Sequence, residues 1–282
     1  MTHRTIGILH PGAMGISLAA SAKDTGHRVL WASEGRSQAT HDRAAGQNLE
    51  GTGSLSGLCE AADTIVCICP PAAAETVAAD VLAQGFTGLY IDANAISPDR
   101  TRRIATAVAA AGARFVDGSV IGGPAWEPGR TWLYLAGTDA AEVAACFAGG
   151  PLETHILGPE IGRAAALKMS FAAYTKGTSA LLSAILAMAE ANGVREALEH
   201  QWSRNGSDFA TQTEDRVRRV TAKAWRFAGE LDEIAATFEE AGLPDGFAAA
   251  AAEVYRRTAH FKDTPTPPPL ADILQSLLPA DD

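Results

Sequence analysis

The sequence predicts an α/β protein: a doubly wound, mostly parallel sheet, then an all-helical C-terminal domain joined to it by a long helix. Three observations carry this. Short apolar runs alternate with segments of helical spacing from residue 5 to about residue 157, the pattern of repeated βαβ units. A glycine-containing turn, "LHPGAMG", stands between the first apolar run and the first helical segment. From Gly162 to about Gly193 the pattern becomes one long Ala/Leu-rich helix without proline, and the remainder stays helical. The expected domains are therefore residues 1–157 and 158–282.

Each element has its own signal. "TIGIL" is a short apolar strand, and "MGISLAASAKDTG" has helical spacing and stops at Gly26, a natural helix terminator. "HRVLWAS" completes the first βαβ unit. The alternation continues through "AADTIVCICP", "PAAAETVAADVLAQG", "GLYIDAN", "SPDRTRRIATAVAAAG" and "ARFVDGSV", then "TWLYLAG", "DAAEVAACFAG" and "ETHILG". In the second half "REALEHQWSRNG", "ATQTEDRVRRVTAKAWRFAGELDEIAATFEEAG" and "DGFAAAAAEVYRRTAHF" read as helices. A proline-rich connector, "TPTPPPL", precedes a last short helix, "ADILQSLL".

Bulk properties narrow the function classes. At 282 residues the chain can bury one large core or two ordinary ones. A formal net charge of −10 gives no support to a nucleic-acid or anionic-membrane surface, so an anionic ligand needs a local cluster of donors. Four cysteines do not make a disulfide framework in a chain this long. Cys67 and Cys69 are expected as small buried residues, and no metal site is expected. With no leader pattern and no bilayer-length apolar stretch, the expectation is a cytoplasmic protein acting on a small molecule.

The turn "HPGAMG" is an incomplete dinucleotide fingerprint. G-x-G-x-x-G wants glycines where this chain has His10, Gly12 and Gly15. The middle glycine lets the backbone approach a pyrophosphate, the third lets helix pack on strand, and the first only helps the turn. Gly12 and Gly15 keep the two demanding positions, and His10-Pro11 shapes the turn differently. Amides of Ala13, Met14 and Gly15 at the helix start would then face phosphate oxygens. In its βαβ context the turn predicts a Rossmann-type nucleotide site. His10 is expected to be steric rather than catalytic.

The end of the second strand favours NADP(H) over NAD(H). A carboxylate there holds the ribose of NAD, whereas an arginine accommodates the 2′-phosphate of NADP. The stretch "WASEGRSQAT" offers Ser33, Arg36, Ser37 and Thr40, a guanidinium and hydroxyls suited to a phosphate. Glu34 leaves ribose binding open as the alternative.

Four stretches in one order, "GILHPGAMG", "IDANAISP", "DGSVIGGPAW" and "GPEIGRAAALKM", resemble the β-hydroxyacid dehydrogenase superfamily. That group includes 6-phosphogluconate and 3-hydroxyisobutyrate dehydrogenases, with imine reductases as relatives. The helical remainder is similar to the C-terminal domain of phosphogluconate dehydrogenase-like bacterial proteins. The resemblance implies a nicotinamide-dependent oxidoreductase, usually a homodimer, with a catalytic lysine on the long helix. The matching residue is Lys168, implied to exchange a proton with the substrate oxygen. A lysine beside an apolar pocket has its charged form disfavoured, which suits it to that task.

The chain departs from the family at two positions. The family asparagine four residues after the lysine is Ala172 here, and the family serine before the Gly-Gly pair is Ile121. A more apolar substrate pocket is therefore expected, formed by Ile121, Gly122, Gly123, Trp126 and Phe171, with Ser119 on the same strand face as Ile121 supplying a hydroxyl. Asn94, at a strand end, is expected to hydrogen-bond cofactor or substrate, and Cys69 and Pro70 to give backbone contacts to the cofactor. Lys176, two turns after Lys168, reads more readily as structural than as an anion ligand. Two alternatives stay open: an imine reductase-like enzyme, against which Lys168 itself counts, and a non-catalytic NADP-binding sensor.

Overall fold

The computed structural model describes residues 3–262 and 264–279. It divides into two compact units, Met1–Met169 and Ser170–Asp282. The first is built on an eight-stranded sheet: β1 (Thr5–Ile8), β2 (Arg28–Trp31), β3 (Glu50–Gly51), β4 (Thr64–Cys67), β5 (Leu89–Asp92), β6 (Arg114–Gly122), β7 (Thr131–Ala136) and β8 (Glu153–Ile156). The spatial order is β3-β2-β1-β4-β5-β6-β7-β8. All neighbours run parallel except β6 and β7, which pair antiparallel through Ile121↔Trp132 and Gly122↔Thr131. This is a Rossmann-type doubly wound sheet, extended by two strands.

The helices of this unit are α1 (Gly15–Asp24), α2 (Gln38–Gly46), α3 (Leu55–Ala61), α4 (Ala74–Ala83), α5 (Pro98–Ala110) and α6 (Ala140–Ala145), followed by the start of α7 (Arg163–Ala172). They bury two cores, one on each face of the sheet. Leu18 and Ala22 of α1 and Val143 of α6 pack with Ile6, Ile8, Val116 and Val120. Leu58 of α3, Val81 of α4 and Ile104 of α5 pack with Ile65, Tyr90 and Phe115 on the other face. Strand residues of alternating parity feed the two cores, as the two-residue period requires.

The division between the two units falls inside a helix, between Met169 and Ser170 of the chain. The reason is a cap. Asp117, buried on β6, accepts hydrogen bonds at one carboxylate oxygen from the amides of Gly162 (2.8 Å), Ala164 (3.0 Å) and Ala165 (3.4 Å). A carboxylate there satisfies amides that the helix itself cannot, and it holds the first turns of α7 to the sheet.

The second unit contains α8 (Thr178–Ala191), α9 (Arg195–Trp202), α10 (Phe209–Thr221), α11 (Ala224–Glu240), α12 (Gly246–Arg257) and α13 (Leu270–Leu277). The long helix expected over 162–193 is interrupted by a π-helical turn at Ala173–Gly177. Side chains from other helices occupy carbonyls of this turn: Arg216 donates to Thr175 O (2.8 Å) and the Tyr255 hydroxyl to Lys176 O (3.0 Å). Lys176 pairs with Glu230 and lies over the Phe227 ring, so its role in this unit is structural. The single helix read over residues 210–242 breaks between α10 and α11.

Candidate active site

Because β1, β2, β4, β5 and β6 run parallel, their carboxyl ends share one edge. The strand order reverses between β1 and β4, the position at which such sheets open a ligand crevice. The loops that follow these strands carry most of the residues singled out from sequence.

The glycine turn follows β1. A Cβ on Gly15 would meet the His10 carbonyl oxygen at 2.2 Å, while one on Gly12 would meet nothing within 4 Å. Gly15 is thus required by packing, and the space above Gly12 is open. Among the described residues, the amides of Ala13, Met14 and Gly15 have no partner within the chain, and Met14 caps α1 with no side-chain bond. An open backbone surface with free amides at a helix start fits a dinucleotide pyrophosphate. Burial, then the charge of Arg36, pushes the His10 imidazole down to about 4, so it is neutral at pH 7.

The loop after β2 turns into α2 through Ser37. Arg36 Nε donates to Ala32 O (3.4 Å), and the Ser37 and Thr40 hydroxyls lie 3.1 Å apart. Ser33 is half-buried, and Glu34 points to solvent. Arg43 was not foreseen: its Nε donates to Pro11 O (3.2 Å) and its Nη2 to Thr40 Oγ1 (3.0 Å). It joins the glycine turn to the hydroxyl pair. Its signal was the three-residue step from Thr40 along a helix that "QATHDRAAG", with few apolar residues, does not announce.

Asn94 ties the β4 and β5 ends together. Its Oδ1 accepts from the Cys69 amide (2.6 Å), its Nδ2 lies 3.4 Å from Cys67 Sγ, and its own amide donates to Asp92 Oδ1 (2.9 Å). Cys67 is buried and Cys69 half-buried, their sulfurs 3.9 Å apart. Pro70 is exposed at the tip. Asn94 is therefore a positioning group that fixes the Cys69-Pro70 backbone.

The loop after β6 completes the edge. Gly122 has φ +119°, and a Cβ there would meet Arg130 O at 2.3 Å, whereas Gly123 has open space. Thr131 Oγ1 donates to Gly123 O (2.8 Å). Ser17 was also not foreseen: its hydroxyl accepts from the Ala125 amide (2.9 Å) and donates to Met14 O (2.8 Å), which ties this loop to α1. Trp126 beside it is 50% exposed.

Lys168 reaches the same edge from α7. Its Nζ donates to the Val120 carbonyl (2.8 Å) and the side chain is half-buried, so it is not a freely solvated lysine. Ser119 and Ile121 share the strand face of Asp117, toward α7. Both are buried, at 1% and 7% exposure, and the Ser119 hydroxyl has no partner among the described residues. Phe171 lies in the second unit, 44% exposed.

Two buried carboxyls stand opposite each other beneath this edge, Asp92 on β5 and Asp117 on β6. Burial pushes Asp92 up to about 7 and Asp117 up to about 6; hydrogen bonds from Asn94 and from the α7 amides respectively act the other way. Neither carboxyl was singled out from sequence, although an acid inside an apolar strand signals a buried partner.

Residues 5–147 match the family model of the NAD binding domain of 6-phosphogluconate dehydrogenase, and residues 189–258 match a domain of unknown function, DUF1932. No protein of curated function matches the chain. Among solved structures, 98% of the chain is similar to 97% of a conserved hypothetical protein from Sinorhizobium meliloti, at 26% identity and TM-score 0.72. Again 98% of the chain is similar to 99% of 3-hydroxyisobutyrate dehydrogenase from Mycobacterium tuberculosis, at 18% identity and TM-score 0.70. A reductive aminase from Aspergillus terreus is similar over 97% of this chain and 99% of its own, at 17% identity and TM-score 0.56. The last two likenesses bear on fold alone. The match over residues 5–147 shows the family: the chain belongs to the 6-phosphogluconate dehydrogenase-like β-hydroxyacid dehydrogenase superfamily, a group of NAD(P)-dependent oxidoreductases.

Proposed function

We propose that the protein is an NADP(H)-dependent oxidoreductase that moves hydride between nicotinamide and the carbon of a hydroxy-acid-like or carbonyl substrate, with Lys168 as general acid/base. The observation that carries this is the Lys168 Nζ, 2.8 Å from Val120 O at the sheet edge that also bears the glycine turn. Bound NADP(H) would supply or accept the hydride. The open amides of Ala13, Met14 and Gly15 would bind its pyrophosphate, Arg36 and Ser37 with Ser33 nearby its 2′-phosphate, and the Cys69-Pro70 backbone its nicotinamide half. Lys168 would hand a proton to the substrate oxygen in reduction and take it in oxidation. Ile121, Gly122, Gly123 and Trp126 would shape an apolar pocket with Ser119 as its hydroxyl.

A homodimer in the cytoplasm completes the reading. Tyr174, Leu181 and Met188 recur every seven residues and are all exposed. Leu181 also lines a groove of about 610 Å³ with Ile234, Phe238, Phe247 and Val254. An apolar surface of this kind calls for a covering partner, and among the described residues no helix is long and apolar enough to cross a membrane. The mass of the protein in solution by light scattering tests the dimer.

Imine reduction is the second reading, supported by the apolar residues Ile121 and Ala172 where the superfamily has polar ones. NADPH consumption measured across 3-hydroxy acids, sugar acids, keto acids and cyclic imines, with wild type and Lys168→Ala side by side, tests the oxidoreductase reading and separates the two chemistries.

A further inference from the structure

We propose that Arg43 is a cofactor-specificity residue: with Arg36 it forms a two-guanidinium cradle for the 2′-phosphate of NADP(H), using the side chain that also holds the glycine turn. The proposal rests on the reading that the β2 edge takes that phosphate.

Both guanidiniums are anchored at adjacent strand ends, Arg36 on Ala32 O after β2 and Arg43 on Pro11 O after β1. Arg43 also donates to Thr40 Oγ1, which lies 3.1 Å from the Ser37 hydroxyl. Two arginines and two hydroxyls therefore stand at the ends of β1 and β2, with Arg43 bonded to the turn that contains Gly12. Among the described residues neither Arg36 nor Arg43 has a carboxylate within 4 Å, whereas Arg28, Arg103, Arg114 and Arg163 each do. In a chain of net charge −10, two half-buried cations without acids leave room for an anion from outside. A guanidinium has five N–H donors, and the two bonds of Arg43 leave most of them for phosphate oxygens, in a fork that suits a phosphate better than a point charge would.

Because Pro11 O belongs to the turn, loss of Arg43 could act on any dinucleotide or on NADP(H) alone, and titration calorimetry on the full chain separates these. The probes are NADPH, NADH, 2′,5′-ADP and 5′-AMP, against wild type, Arg36→Gln, Arg43→Ala and Arg43→Gln. Glutamine can still donate to Pro11 O without the charge, so it preserves the tie if the alanine variant misfolds. Arg43→Gln is expected to lose at least about tenfold in affinity for NADPH and 2′,5′-ADP. NADH and 5′-AMP are expected to change by no more than about twofold. Equal loss for both dinucleotides, or no loss, overturns the role of Arg43. If wild type binds NADPH and NADH alike, the NADP(H) reading itself falls, and this proposal with it. If wild type prefers NADPH and only Arg36→Gln abolishes the preference, the reading stands and Arg43 alone is excluded.

Discussion

A side chain on Gly15 would overlap the His10 carbonyl oxygen at 2.2 Å, whereas one on Gly12, in the same turn, would project into open space. Gly15 is demanded by the folded chain, whereas Gly12 is free of any such demand and, under the proposed function, serves the approach of the dinucleotide. Gly15→Ala is therefore predicted to lower stability by about 1–3 kcal/mol, through the shift it forces on the turn. Gly12→Ala is predicted to leave the melting temperature of the free protein unchanged and to remove the stabilisation that NADPH confers by binding the native state. Thermal melts of both variants with and without NADPH check this. A Gly12→Ala protein that NADPH still stabilises like wild type contradicts it.

Asn94 predicts a coupled loss. Its carbonyl is the acceptor for the Cys69 amide at 2.6 Å, so Asn94→Ala leaves that amide unpaired. The expected loss is about 1–3 kcal/mol of stability, seen as a lower denaturant midpoint with unchanged slope. NADPH affinity falls with it, because the Cys69-Pro70 backbone is no longer held. Asn94→Asp, which keeps the acceptor, recovers part of the binding.

The facing carboxyls predict a pH dependence. Asp92 is pushed to about 7 and Asp117 to about 6 by burial, above the ordinary value near 4. The folded state then binds more protons than the unfolded one between roughly pH 4 and pH 7, so the contribution of these groups is lost as pH rises through that window. The melting temperature is predicted to fall between pH 5 and pH 8. Asp92→Asn keeps an acceptor for the Asn94 amide and removes the ionisation, so it flattens the profile. A variant profile as steep as wild type contradicts the assignment.

Legibility in the sequence followed the range of the interaction. The strands β1, β2, β4, β5 and β6 and the helices α1, α4 and α5 were readable because their periodicity is local. The segment between Ser33 and Ala61 was not. In α2 only Ala44 is buried, β3 is two exposed residues, and α3 is seven residues long, so none carries a usable period. The π turn depends on Arg216 and Tyr255, far away in the chain. The attachment of α7 to the sheet is unreadable for a similar reason, since the Asp117 cap spans 45 residues to Gly162. In the candidate site, Gly12 and Gly15 stand out as a spaced pattern, whereas Lys168 is pointed to by the family resemblance. Arg43 and Ser17 were not, because their value lies in what they join.

The central claim is that Lys168 moves the proton that accompanies hydride transfer, and its most direct test is single-turnover NADPH oxidation by wild type and Lys168→Ala on a carbonyl substrate found by the survey above. The predicted result is a loss of about 10²–10⁴-fold in rate for the variant, with NADPH affinity unchanged. Equal rates in the two proteins, or a rate loss explained entirely by weaker NADPH binding, would contradict it.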